Sequence, residues 1–387
     1  MPTRQRLVTY GLTTTAAATV TVCALLQPWR GPDEPPVARR IDVPRQVPVA
    51  NNRHAVDVVF AVDTTASMDG LIDSAKRTVW SIATHIRKTD PDADLRIGLI
   101  AYRDIGDDYV TSDLALTTDL DGVFARLSSL RAAGGGDVPE DVDAALDDAV
   151  HRMAWRDGAS KMVFLVGDAP PASRGDVPSF DVTAREAGER GIVINTIRCG
   201  YDRDTEAAWR RIAALGHGQF STIQHEGGVQ QIATPYDDQL ARLSATIDDT
   251  TVIMGDDGAR REYSANMAAA AAAPAPAKAE RAKYFTAKGA TGAGGSRTKN
   301  DLVGGVAEGS VHLDQVAPGD LPADLRTLDR PALEAEVKRR GAERTAAQGE
   351  LDKLVQQRDE YLKAHVKDAD AGFDAKVMDA IDSQLKH

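Results

Sequence analysis

The stretch Val56–Ser67, VDVVFAVDTTAS, restricts this chain more than any other, because an apolar strand runs straight into a polar triplet. Val56, Val58, Val59, Phe60, Ala61 and Val62 form a nearly unbroken apolar run. A strand reads this way when both of its faces are covered, as in a parallel sheet with helices on each side. At its carboxyl end the polarity switches to Asp63, Thr65 and Ser67, spaced two apart. Residues 68–87 then place Leu71, Ile72, Ala75, Val79, Ile82 and Ile86 at helical spacing. Ligands bind at the carboxyl edge of open α/β sheets. One carboxylate with two hydroxyls is a hard-oxygen donor set, suited to Mg²⁺ or a similar ion and not to zinc. The same residue types also cap helices, so Ser67 has a plain structural reading as the start of the helix. Further ligands at other strand ends would decide between the two.

They are present. Leu95–Tyr102 (LRIGLIAY) is a second strand, followed by Arg103, Asp104 and the acidic loop 106–108. Residues 110–116 read as an edge strand and 120–131 as a short helix. In Ala132–Glu140 (AAGGGDVPE) the glycines permit a tight backbone path beside a ligand, and Pro139 suits the first turn of the next helix. Met162–Val166 is another buried strand, and Asp168 stands at its carboxyl end as Asp63 does at the first. Helix 182–190, strand 192–197, helix 205–215, strand 219–223 and a last helix near 229–247, interrupted at Pro235, complete the alternation. The expected fold is α/β, a doubly wound and mostly parallel sheet flanked by helices with right-handed crossovers.

From about Asp57 to Asp248 the chain resembles the von Willebrand factor type A domain, whose metal-ion-dependent adhesion site is spread over three loops. Its DxSxS element is matched by Asp63, Thr65 and Ser67, with Thr in place of the first Ser. In the second loop many members offer a Thr after two glycines, and Asp137 of GGGDVPE stands there. The third-loop Asp is matched by Asp168 in LVGDAPP. The resemblance covers about half of the chain, with the motifs in the family's order. It implies a bound Mg²⁺ (or Mn²⁺ or Ca²⁺) with one open position, which an Asp or Glu carboxylate from a protein partner fills. Asp137 departs from the neutral residue, and three ionised carboxylates would weaken the pull on an acidic ligand unless Asp137 acts through water. Asp104, Asp107, Glu140 and Arg103 lie at the rim in this reading; each also fits a solvated loop charge or a helix-start carboxylate.

Composition excludes several classes. A formal net charge of −12 and 5% aromatic residues argue against nucleic-acid binding. The histidines are scattered without zinc spacing, and no G-x-S-x-G elbow or phosphate loop occurs. Haloacid-dehalogenase-like phosphatases need a second Asp two residues beyond the nucleophile, where Thr65 stands here. A non-enzyme is expected. Cys23 and Cys199 make no disulfide framework, and Cys199 reads as a free structural thiol.

Residues 1–30 read as a signal-anchor first, a cleaved signal peptide second and a lipoprotein leader third. Leu7–Leu26 carries no charge and is long enough to span a bilayer, with Arg4 and Arg6 before it. Each alternative places the body outside the cytoplasmic membrane. Residues 31–53 form a Pro-rich tether, 54–250 the type A domain, and 251–329 a flexible Ala/Gly-rich linker with short ordered segments. Within the linker, Leu302–Val316 suggests short strands or a docking segment. Residues 330–387 form a helical C-terminal region, with a long charged helix over 333–366 and an amphipathic one over 373–385. In the long helix only Ala occupies the apolar face across 339–349, which argues against a continuous coiled coil. The leading functional expectation is a membrane-tethered protein that binds partners through its metal. The alternative is a structural or assembly protein whose metal only stabilises the domain and whose C-terminal helices make the contacts.

Overall fold

A computed structural model describes residues 54–135, 139–172, 177–224, 232–289, 296–365 and 373–385. The Val-rich run forms β1 (Ala55–Asp63), and it is joined by β2 (Asp94–Tyr102), β3 (Thr111–Thr117), β4 (Ser160–Gly167), β5 (Ile192–Cys199) and β6 (His217–Ile223). These make one six-stranded sheet in the order β3-β2-β1-β4-β5-β6. Only β3, at the edge, runs antiparallel to its neighbour. The winding reverses beside β1, since β2 lies on one side of it and β4 on the other. At such a switch point the loops leaving adjacent strands diverge and open a crevice. Asp63 ends one of the two strands that border it, and Asp168 follows the other.

Alternate residues of β1 feed two separate cores. Val56, Val58, Phe60 and Val62 pack toward α1 (Asp69–Thr89) and α2 (Leu120–Ser129). Val59 and Ala61 pack toward α3 (Val142–Asp147), α4 (Phe180–Glu189) and α5 (Arg203–Leu215). A π-helical turn at Asp148–Arg152 extends α3. At the amino edge Asp57 is fully buried between Arg96, 2.7 Å away, and Arg156, 2.7 Å away. Burial pushes its carboxyl up, but the two guanidinium groups outweigh it and hold the pKa below the usual value.

Beyond β6 the structure adds α6 (Asp237–Asp249), α7 (Asp257–Ala272), α8 (Ala275–Lys288), α9 (Leu302–Glu308), α10 (Ala323–Arg326), α11 (Arg330–His365) and α12 (Phe373–Leu385). The last of these returns to the sheet. Phe373, Val377, Ala380 and Ile381 are buried in the core on the α1 face, and the Phe373 ring lies 6.2 Å from that of Phe60. His85 on α1 meets Asp382 at 2.7 Å, and Asn195 on β5 exchanges amide hydrogen bonds with Gln384. Residues 54–250 therefore do not cover the sheet by themselves.

Two expectations about the C-terminal third are corrected. The Ala-rich part of the supposed linker is helical: Ala is the best helix former, and Asp256 caps α7 by accepting from the Ala259 N–H at 2.8 Å. Small side chains let α8 approach closely, so that Ala277, Ala279 and Ala282 are buried and Tyr284 and Phe285 reach Trp80 at 5.6 and 6.1 Å. Leu302–Val316 forms no strands; α9 starts where Asp301 accepts from the Gly304 N–H and stops at Gly309, whose φ is 74°. The long helix is found as α11. In its Ala-rich centre Arg344 forms a 2.6 Å ion pair with the buried Asp301, and Arg358 further along pairs with Asp237 at 2.7 Å and Glu280 at 2.6 Å. No helix among the described residues is long and apolar enough to cross a membrane, and the N-terminal segment and tether lie outside those residues.

Two measurements check this packing. Phe373→Ala is expected to destabilise the protein by about 3–5 kcal/mol in urea unfolding, with the slope unchanged. The depressed Asp57 pKa gives stability that is present above the unfolded carboxyl's value and lost as pH falls through the folded one. Asp57→Asn should therefore lower the unfolding temperature at neutral pH and bring the acid limb of mutant and wild type together.

Candidate metal centre

The site begins with β1 delivering Asp63, fully buried, into the crevice. The Thr65 N–H and hydroxyl both donate to its Oδ1, at 2.8 and 2.7 Å, which folds the chain tightly after the strand. Ser67 is exposed, and its Oγ lies 3.4 Å from the Thr65 hydroxyl. The N-cap positions of the short 3₁₀ turn at 66–68 and of α1 fall on Thr65 and Met68, so Ser67 stands at neither. Asp63 Oδ2 is buried with no hydrogen-bond partner.

The second loop is brought in by glycine. Gly134 and Gly135 have φ of 80° and 78°, a left-handed backbone that disfavours other residues. A Cβ on Gly135 would lie 3.2 Å from Thr65 Cβ and 3.4 Å from Glu140 Oε1. The Ala133 N–H donates to Thr64 O at 3.1 Å and ties this loop to the first. Asp137 itself lies outside the described residues. The third loop is joined through a parallel bridge between Glu140 and Pro171: the Glu140 N–H donates to Pro170 O and the Ala172 N–H to Glu140 O. Asp168 is half-buried, close enough for its charge to raise the Asp63 pKa.

The rim residues are not the solvated charges that they resemble in sequence. Glu140, Asp104 and Arg103 are all buried. Arg103 holds loops together, donating to Thr64 O at 3.1 Å and Arg131 O at 2.8 Å while it stacks on Tyr109. Asp107 accepts from the Gly135 N–H at 3.1 Å. Glu140 is the functional candidate that sequence reasoning undervalued; its Oε2, like Asp63 Oδ2, is buried without a partner. The signal was its place directly after Pro139 in the glycine loop, where the turn aims a helix-start carboxylate inward. Cys199 is a buried free thiol below the site, its pKa pushed up by burial and by Asp168 and Asp63.

The electrostatics leave this edge in need of positive charge. Burial, with the Asp168 charge and against the Thr65 hydrogen bonds, pushes Asp63 up to about 7. Burial and the charges of Asp63, Asp104, Asp107 and Asp168 push Glu140 up to about 8. Unpartnered buried carboxylate oxygens are costly, and together with the Thr65 and Ser67 hydroxyls they offer a hard cation the oxygens it prefers. The residues present fit such an ion. Among the described residues no three His, Cys, Asp or Glu side chains form a metal-binding group.

Residues 57–233 match a family model described as von Willebrand factor A domain. Alpha-protein kinase vwkA of Dictyostelium discoideum is 33% identical over 119 residues, which is 30% of this chain and 18% of that protein. A protein of Acanthamoeba polyphaga mimivirus described as an ariadne-like RING finger protein is 29% identical over 121 residues, 31% of this chain and 12% of its own. The chain thus spans less than a fifth of the curated relatives that it matches. Among solved structures, proximal thread matrix protein 1 from the mussel byssus, described with a zinc-occupied MIDAS motif, is 19% identical with a TM-score of 0.36, covering 44% of this chain and 41% of that one. BatB from Bacteroides thetaiotaomicron is 17% identical with a TM-score of 0.34, covering 44% and 90%.

Raised carboxyl pKa values carry a definite sign. Without a cation, folded Asp63 and Glu140 retain protons that the unfolded chain has released, so stability falls as pH rises from about 4 through about 8. Mg²⁺ at a hundredfold excess over its dissociation constant is expected to restore about 3 kcal/mol at pH 8. Asp63→Asn should raise the unfolding temperature in EDTA and abolish the Mg²⁺ response in a thermal melt.

Proposed function

Starting from a chain whose residues 57–233 form a von Willebrand factor A domain, we propose that its carboxyl edge binds a divalent cation, Mg²⁺ by donor preference. We propose further that this edge recognises another protein through a carboxylate of that partner. Asp63, Thr65, Ser67, Asp168 and Glu140 would hold the ion, and Asp137 would join them from the glycine loop. The bound ion supplies a positive point charge that attracts one more oxygen ligand. The protein's own residues orient that event: Thr65 fixes Asp63, Arg103 braces the loops, and Gly135 brings the second loop against Thr65.

One observation carries the reading. Two carboxylate oxygens, Asp63 Oδ2 and Glu140 Oε2, are buried without partners at the sheet edge where ligands bind. The surface around them supports a protein partner: Ile105, after β2, is 49% exposed and Tyr201, after β5, is 74% exposed. Large apolar side chains flanking a charged point are common at the centre of protein interfaces. The assembly alternative draws less support, because the apolar residues of α11 and α12 are spent on internal packing: Leu351 and Val355 against α6 and α8, Phe373 and Ile381 against the sheet.

We propose binding and not catalysis for this edge. We also propose a membrane-tethered position outside the cytoplasmic membrane, on the strength of the uncharged Leu7–Leu26 segment. Protease accessibility of intact cells tests the second point. The first is tested by calorimetric titration of Mg²⁺, then by affinity capture from a cell-envelope extract in Mg²⁺ or in EDTA. Retention of a protein in Mg²⁺, lost with EDTA, Asp63→Ala or Tyr201→Ala, is the expected result. Retention that persists in EDTA would sink the reading.

A further inference from the structure

A second polar site lies at the opposite, amino edge of the sheet. There a cavity of about 450 Å³ opens between the start of β2, the end of β3, the first turn of α2, helices α7 and α8, and residues 297–300. This is within the size range of small-molecule sites. Its basic wall is built from three different parts of the chain: Arg87 at the end of α1, Lys288 at the end of α8, and Arg297.

The hydrogen-bond accounting there does not close within the protein. Arg297 is 8% exposed, yet its Nη2 has no partner. Arg87 Nε, which lines the same cavity, is also buried without a partner, and the Tyr263 hydroxyl beside it is buried with Thr251 near but no hydrogen bond of good geometry. The Arg297 charge has little local compensation. Its nearest carboxylate is Asp248 at 3.6 Å, and Asp248 already accepts from Arg281 at 2.6 and 3.1 Å. Burial, with Arg281 and Arg344 nearby, lowers the Arg297 pKa to about 10, and burial together with Arg87 and Arg297 lowers that of Lys288. Phe285 supports the guanidinium from behind at 4.1 Å.

The cavity also has acidic lining, but its carboxylates are engaged elsewhere or face outward. Asp121 accepts from Nε and Nη2 of Arg281, Asp94 pairs with Arg156, Asp119 accepts from the Asn266 amide at 3.1 Å, and Glu262 is exposed. The donors without partners are cationic or phenolic. An acceptor-rich group satisfies all three at once, and a planar guanidinium fits an oxyanion in two-pronged fashion.

We propose that this cavity is a binding site for a small oxyanion, a phosphate or carboxylate group of a small molecule, held by Arg297, Arg87 and Tyr263. The site is separate from the metal edge and does not rest on the function proposed for it. An anion there would bridge the end of α1, on the sheet, to α7 and to the segment that leads into α9. Occupancy would therefore tighten the helical excursion against the sheet.

The test is titration of the full chain with inorganic phosphate, glycerol 3-phosphate and citrate at matched ionic strength, read by calorimetry and by the melting temperature. Saturable binding of at least one is expected, and which one binds identifies phosphate or carboxylate as the group recognised. Arg297→Gln should weaken binding about tenfold or more, the loss expected for a hydrogen bond to a charged group. Because Arg297 is buried, Arg87→Gln and Tyr263→Phe serve as second variants that keep most of the packing; each should weaken binding several-fold. Asp63→Ala should leave it unchanged. Absence of saturable binding in the wild type, or binding undiminished in both Arg87→Gln and Tyr263→Phe, would overturn the proposal and leave a water-filled seam.

Discussion

A parallel strand with apolar residues on both faces cannot leave either face in water, and that requirement organises this chain. β1 sits at the centre of the sheet with Val59 and Ala61 on one side and Val58, Phe60 and Val62 on the other. The first side is closed locally by α3, α4 and α5. The second is closed by α1 and α2 from nearby sequence, and then by α12 from the far end. Between β6 and α12 the described residues form helices α6 to α11 and the turns beside them, and α8 packs on α1 before α12 returns to the sheet.

Within that frame, β1 carries a carboxylate at each end with opposite fates. Asp57 is buried between two arginines, so its charge is matched from within and it fastens the strand. Asp63 is buried with hydroxyl and amide donors on one oxygen, while its other oxygen lacks a hydrogen bond of good geometry although the Asp168 backbone lies near. The first arrangement stabilises the fold unaided. The second keeps its proton to a higher pH than an ordinary carboxyl, and it lies where the sheet topology opens a crevice. A matched and an unmatched carboxylate thus stand at the two ends of one nine-residue strand.

The sheet was legible because its signals are local. Continuous apolar runs, strand-end polarity switches and helical spacing located β1, β2, β4 and α1 to within a few residues. The glycine loop was legible as a close approach, and Gly135 beside Thr65 gives it a physical cause. What escaped was long-range. Tyr284 and Phe285 look isolated in sequence because their partner, Trp80, lies on α1. Arg344 and Arg358 look like solvent-facing charges on a weakly apolar helix, because Asp301, Asp237 and Glu280, which neutralise them, are remote in sequence. Glu140 reads in sequence as a rim residue, a loop charge or a helix-start carboxylate alike, because its burial comes with the bridge to Pro171, a tertiary contact that no spacing encodes.

The position of α12 has a bearing on how such a chain is made. A ribosome releases the strands first, and residues 224–372 must all follow before the helix that covers Phe60 and Phe164 exists. At about 5–20 residues per second the sheet waits many seconds with that apolar strip open. The pairing of α12 with β1 and β5 also has a long sequence separation, which slows closure. Until α12 arrives, a nascent chain of this design holds an apolar strip flanked by residues of α1, α2 and α8 but not yet closed.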